Sequence, residues 1–145
     1  SAQLGAMLSG ASPEYQKPLK EFGEAVGIAF QLVDDIIDIQ STKSQSGKIA
    51  GTDLLAGVPT LPVLLLANHE DDESKQLLAE ITNNLDEQTL PDILTRLRAH
   101  PVMDQARAQT MAWAQVAIEA IEPLPTGKVR TALEAFARAV VDRKG

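Results

Sequence analysis

Apolar residues recur along this chain at helical intervals, with no stretch of the strict alternation that marks a strand. The opening residues read as the end of a helix stopped by Gly10. Ser12 and Pro13 suit the N-cap and first position of a long helix. Residues 41 to 58 read as a polar loop with a short helical turn near Leu54, and Pro62 opens a helix running to about Asn68. Residues 73 to 83 and 88 to 99 form short amphipathic helices. Met103, Met111, Ala114, Ile118 and Ile121 share helical spacing. So do Val129, Leu133, Phe136 and Val140, beyond the breaker Pro123-Leu124-Pro125. The pattern predicts an all-α chain with no internal repeat and no low-complexity linker.

One segment breaks the apolar rule. FGEAVGIAFQLVDDIIDIQ, residues 22 to 40, places Asp34, Asp35 and Asp38 among Val26, Ile28, Leu32, Val33, Ile36, Ile37 and Ile39. Ionised carboxylates in apolar surroundings are costly unless cations or hydrogen bonds compensate. At about 100° per residue, Gly23, Gly27, Gln31, Asp34 and Asp38 fall on one helical stripe, with Asp35 at its edge. Phe22, Ala25, Ala29, Val33 and Ile36 fall on the far side. Asp34 and Asp38 are one turn apart, about 6 Å of rise. Such a pair can turn into one cavity and hold a hard, oxygen-seeking ion such as magnesium. The glycines remove bulk from the same stripe, leaving room for a ligand or a neighbouring helix. A bare DDxxD is more often a solvated face; the apolar flanks, Gln31 and the glycines favour a site.

Composition narrows the classes. The chain has 145 residues and a net charge of −7, which argues against nucleic acid as a partner. It contains no cysteine, so disulfides and thiolate sites are excluded, and a reducing cytoplasm fits. Its length suits one domain, or part of one. The apolar run Leu61 to Ala67 is too short to span a bilayer. Glu70, Asp71, Asp72 and Glu73 read as a solvated turn and helix start.

The loop after the carboxylates adds chemistry. Lys48 lies between Gly47 and Gly51, where a lysine can swing over a metal-bound phosphate as a point charge. No GxxxxGK[ST] loop is present.

FQLVDDIID, followed by GKIAGTDLLAG and TLP, resembles the second aspartate-rich region of the trans-type isoprenyl (polyprenyl) diphosphate synthases. The opening SAQLGAMLSGASPEY and the tail AIEAIEPLPTGKVRTALEAFARAVVDRK are similar to segments of the same family. The resemblance implies an isoprenoid-synthase-type helical bundle. It further implies a magnesium-dependent prenyltransferase that condenses an allylic prenyl diphosphate with isopentenyl diphosphate and releases pyrophosphate. By that resemblance Asp34 is a direct metal ligand, while Asp35 and Asp38 bind directly or through water. Gln31 orients a ligand, Lys48 pairs with the allylic diphosphate, and Phe30 lies near the incoming isoprenoid unit or in the core. A cytoplasmic homodimer is the implied assembly.

The family's first aspartate-rich motif, the arginine pair after it and its N-terminal Gly-Lys-Arg segment do not occur here. The expectation is therefore a C-terminal portion of a longer protein, inactive without its N-terminal portion. Val58 stands where many members carry a second diphosphate-binding lysine. Two other readings stay open: a non-catalytic subunit of a heteromeric synthase, and a terpene cyclase of the same fold. His69 and His100 read as surface or capping residues, Tyr15 and Trp113 as packing, and Asp53 as a loop tie. Arg138, Arg143 and Lys144 read as solvating the last helix, although the family's basic C-terminal residues can approach the site mouth.

Overall fold

Gly10 and Gly51 both take left-handed backbone angles, φ +71° and +76°, and each sits where the sequence pattern ends one element or begins the next. The computed structural model describes residues 2–8, 10–41 and 50–143. In chain order the helices are α1 (Ala2–Leu8), α2 (Gln16–Gln40), α3 (Thr52–Leu55), α4 (Leu61–Leu66), α5 (Asp72–Asn83), α6 (Leu90–Ala99), α7 (Val102–Ala120) and α8 (Lys128–Val141). Among the described residues there is no strand. The expected long helix starts later than Pro13, because Pro13–Tyr15 forms a separate 3-10 turn and Ser12 makes no side-chain cap.

The chain divides into two compact units. One comprises residues up to Val33 together with Gln109–Arg143; the other comprises Asp34–Ala108. The first unit is built on Phe22, Ala25, Val26 and Ala29 of α2 with Ala117, Ile121, Leu124, Ala137 and Val140. Tyr15 packs against this cluster, as expected. Four of these nine are alanine, which lets the helices approach closely there.

The second unit packs Ile36 and Ile39 with Leu54, Leu66, Leu77, Leu90, Ile93, Leu94, Leu97, Val102 and Met103. Leu97 and Leu66 are fully buried, and each such side chain stabilises the fold by about 1.5–3 kcal/mol through lost apolar surface. α5 begins at Asp71, whose Oδ1 accepts the Ser74 amide at 2.8 Å. Asp72 and Glu73 add negative charge to the same first turn, where the helix dipole favours it. An ion pair between half-buried Arg96 and Glu80 joins α6 to α5.

Periodicity and burial part company on α7 and α8. Met111 is 64% exposed and Phe136 is 54% exposed, although both fall in the apolar repeats. Trp113, expected to pack, is 37% exposed. The repeat identifies an apolar face; it does not supply something to cover it. No described helix is long and apolar enough to cross a membrane.

Candidate metal and diphosphate site

α2 separates its two faces as its sequence predicts. Phe22, Ala25, Ala29, Val33 and Ile36 are buried, while Gly27 and Gln31 are exposed and Asp34 and Asp38 are half-buried. A Cβ built on Gly27 meets nothing within 4 Å, so the stripe has open space beside it there. Asp35, at the edge of the stripe, is buried at 8% exposure.

The end of α2 is fixed by a residue far away in sequence. Arg98 Nε donates to the Ile39 carbonyl at 2.7 Å and its Nη2 to the Ser41 carbonyl at 2.9 Å. Ser41 Oγ donates to the Ile37 carbonyl at 2.7 Å. The last turn of a helix leaves carbonyls without partners, and the guanidinium supplies them. Arg98 carries no motif, and sequence reading passed over it.

Asp38 is tied into the segment that follows. Its Oδ1 accepts the Thr52 amide at 3.3 Å and its Oδ2 the Asp53 amide at 3.2 Å. Its carbonyl accepts the Gly51 amide at 2.9 Å. Burial pushes the Asp38 carboxyl above the ordinary aspartate range; the amide hydrogen bonds oppose this, and the Asp53 charge adds to it. Asp53, expected to tie the loop together, does so through its backbone amide. Asp35 Oδ2 accepts the Leu61 amide at 2.9 Å, at the first position of α4.

Phe30 is 42% exposed, and the Arg143 guanidinium stacks on its ring, 4.4 Å from the centroid. Such cation–π stacking buries one ring face under a positive charge. Lys48 lies outside the described residues.

The histidines meet. His69 and His100, far apart in sequence, sit edge to face with ring centroids 5.4 Å apart. The Val102 amide donates to His100 Nδ1 at 3.3 Å, so Nε2 carries the proton and faces Ser74 Oγ at 3.0 Å. Ser74 Oγ in turn donates to Asp71 Oδ2 at 2.7 Å. His100 therefore helps begin α7, in line with a capping role. The serine proton points at a carboxylate, away from the imidazole, so this chain of bonds is built for capping.

Among the described residues, no group of three or more His, Cys, Asp or Glu side chains is disposed to hold a metal. Carboxylate oxygen is nevertheless the right donor for magnesium, which keeps waters and substrate oxygens in its shell and needs few protein ligands. Half-buried Asp34 and Asp38, one turn apart, fit that requirement.

A family model described as polyprenyl synthetase matches residues 1–97. The chain belongs to the polyprenyl synthetase family. It is 38% identical over 146 residues to the nonaprenyl diphosphate synthase of Mycobacterium tuberculosis, covering 100% of this chain and 44% of that protein. It is 35% identical to heptaprenyl diphosphate synthase component 2 of Bacillus subtilis, covering 99% of this chain and 41% of that protein. The crystal structure of geranylgeranyl pyrophosphate synthase from Corynebacterium glutamicum, complexed with calcium and isoprenyl diphosphate, superposes with a TM-score of 0.83 at 37% identity. That likeness covers 99% of this chain and 45% of the other. The fold is therefore the all-α isoprenoid-synthase type, and the chain spans less than half the length of these relatives.

Proposed function

We propose that this chain forms part of a prenyltransferase that joins an allylic prenyl diphosphate to isopentenyl diphosphate and releases pyrophosphate. The observation that carries this reading is the pair Asp34 and Asp38, half-buried and one turn apart on α2, on a helix whose Ile36 and Ile39 are buried in the core. The polyprenyl synthetase match over residues 1–97 supports it. So does the relative solved with calcium and isoprenyl diphosphate.

Magnesium, when bound, supplies positive charge against the departing diphosphate, the dominant requirement of such chemistry. Asp34 would hold the ion directly, and Asp38 would act directly or through metal-bound water. Gln31, one turn before Asp34, orients a ligand oxygen. Lys48 pairs with the allylic diphosphate. Ionisation of the C–O bond gives an allylic cation, the double bond of isopentenyl diphosphate attacks it, and proton loss leaves a chain one prenyl unit longer. No side-chain nucleophile is required. The whole domain is completed by an N-terminal portion, and a cytoplasmic homodimer is the proposed assembly.

The test is product analysis of the full-length protein with an allylic diphosphate and magnesium, with and without isopentenyl diphosphate. Elongated product that requires isopentenyl diphosphate is expected. A cyclised hydrocarbon formed without it rejects elongation. A two-component synthase is a second reading, favoured by the relative named component 2. Activity that appears only on adding a different polypeptide supports that second reading.

A further inference from the structure

Two helix starts downstream of the aspartate stretch lack the cap their own sequence would provide. Thr60 holds the N-cap position of α4, yet its side chain makes no cap hydrogen bond. Its Oγ1 is buried without a hydrogen-bond partner among the described residues. α3 has Gly51 at its N-cap, with no side chain to offer. In both cases an aspartate of α2 supplies the acceptor: Asp38 for the Thr52 and Asp53 amides, and Asp35 for the Leu61 amide. Free amides at a helix start need such acceptors, and a carboxylate is a strong one.

Asp35 differs from Asp38 in its surroundings. It is 8% exposed, whereas its neighbours on the stripe are half-buried or open. Ile36 and Ile39 of the same helix are buried in the core that also contains Leu54 and Leu66. The Asp35 carboxylate thus lies on the packed side of the stretch, with its Oδ2 committed to the start of α4.

We propose that Asp35 is a positioning residue, whose task is to hold the start of α4 at Leu61 against α2. An amide donor needs an acceptor oxygen at the right place and does not require a full charge. A metal ligand needs the charge. Asn keeps an oxygen at the same reach and loses the charge, whereas Glu keeps the charge and moves the oxygen by a methylene in a buried site. The two roles therefore rank the substitutions in opposite orders.

The experiment uses the full-length protein carrying Asp35→Asn, Asp35→Glu or Asp35→Ala. Hydrogen exchange of the segment containing Leu61 is read without substrate, and kcat is read against magnesium concentration. Asp35→Ala should speed exchange at Leu61 by roughly tenfold or more, the scale of one lost buried hydrogen bond. Asp35→Asn should restore both protection and kcat to within about threefold, with the magnesium dependence unchanged, and should outperform Asp35→Glu. If the alanine variant does not fold, the order of Asn over Glu decides. Turnover lost in Asp35→Asn while Leu61 stays protected, or Glu outperforming Asn, overturns the proposal. The kinetic half rests on the prenyltransferase reading. The exchange half does not, so a protein that elongates nothing but loses Leu61 protection in Asp35→Ala refutes that reading and upholds this one.

Discussion

Arg98 reaches across to the carbonyl of Ile39, donating from Nε at 2.7 Å, and so closes the end of the helix that carries the aspartates. Its second bond, to Ser41 at 2.9 Å, uses the other arm of the same planar group. Arg98→Ala should lower stability by about 1–3 kcal/mol, because half-buried carbonyls lose charged donors. Arg98→Lys should recover only part, since an ammonium lacks the fork. Urea denaturation of the full-length protein measures both, and a lysine variant as stable as the parent rejects the two-armed account.

Asp34 should be the carboxylate on which turnover depends most. In the full-length protein, Asp34→Asn is expected to lower kcat roughly 10²–10³-fold, the scale of one well-placed electrostatic group, with circular dichroism unchanged. Near-normal turnover at saturating magnesium would remove Asp34 from the metal site.

Gly51 tolerates no side chain for two separate reasons. Its φ is +76°, and an added Cβ would lie 2.8 Å from Leu90 Cδ1. Gly51→Ala should cost about 1–3 kcal/mol. Adding Leu90→Ala should relieve the contact and leave the backbone strain, so the pair should couple in a double-mutant cycle. Strict additivity would show that the contact is not felt.

Asp71 ties part of the acid stability to a helix cap. Hydrogen bonds from the Ser74 hydroxyl and amide hold its carboxyl below the ordinary 3.8. The stability it adds is therefore complete above 3.8 and is lost as pH falls through the lower folded value. Asp71→Asn keeps an acceptor oxygen and removes the titrating carboxyl. Its stability should fall less than the parent's through that acid window, which melting curves across pH will show. Parallel pH profiles would contradict the assignment.

Met111 and Val116 on α7, and Val129 and Phe136 on α8, expose large apolar side chains. The 145-residue chain alone should self-associate and show no prenyl transfer. Light scattering and an elongation assay test this together. A monomer that elongates substrate unaided would refute the requirement for an N-terminal portion.

Much of α2 could be read from its residues. A repeat sustained over 25 residues fixes which side is buried, so Phe22, Ala29 and Ile36 landed in cores and Gln31 in the open. The same spacing takes in Met111 and Phe136, which are exposed, because periodicity records a face and is silent about its cover. The uses of Asp35 and Asp38 were also out of reach. Leu61 lies 26 residues from Asp35, and Arg98 lies 59 from Ile39. Such partners depend on how helices return to one another, which local spacing does not encode. The His69–His100 contact was hidden for the same reason, although surface or capping was the role expected of both.

The bonds from Gly51, Thr52 and Asp53 to Asp38 also bear on how the sequence can change length. They pin both ends of the connection between Ser41 and Ala50 independently of how many residues lie between. Closing a connection of twice the length costs only about 0.6 kcal/mol more. A short peptide tag grafted between Ser41 and Gly47, ahead of Lys48, should therefore leave the aspartates in register and both helix starts in place.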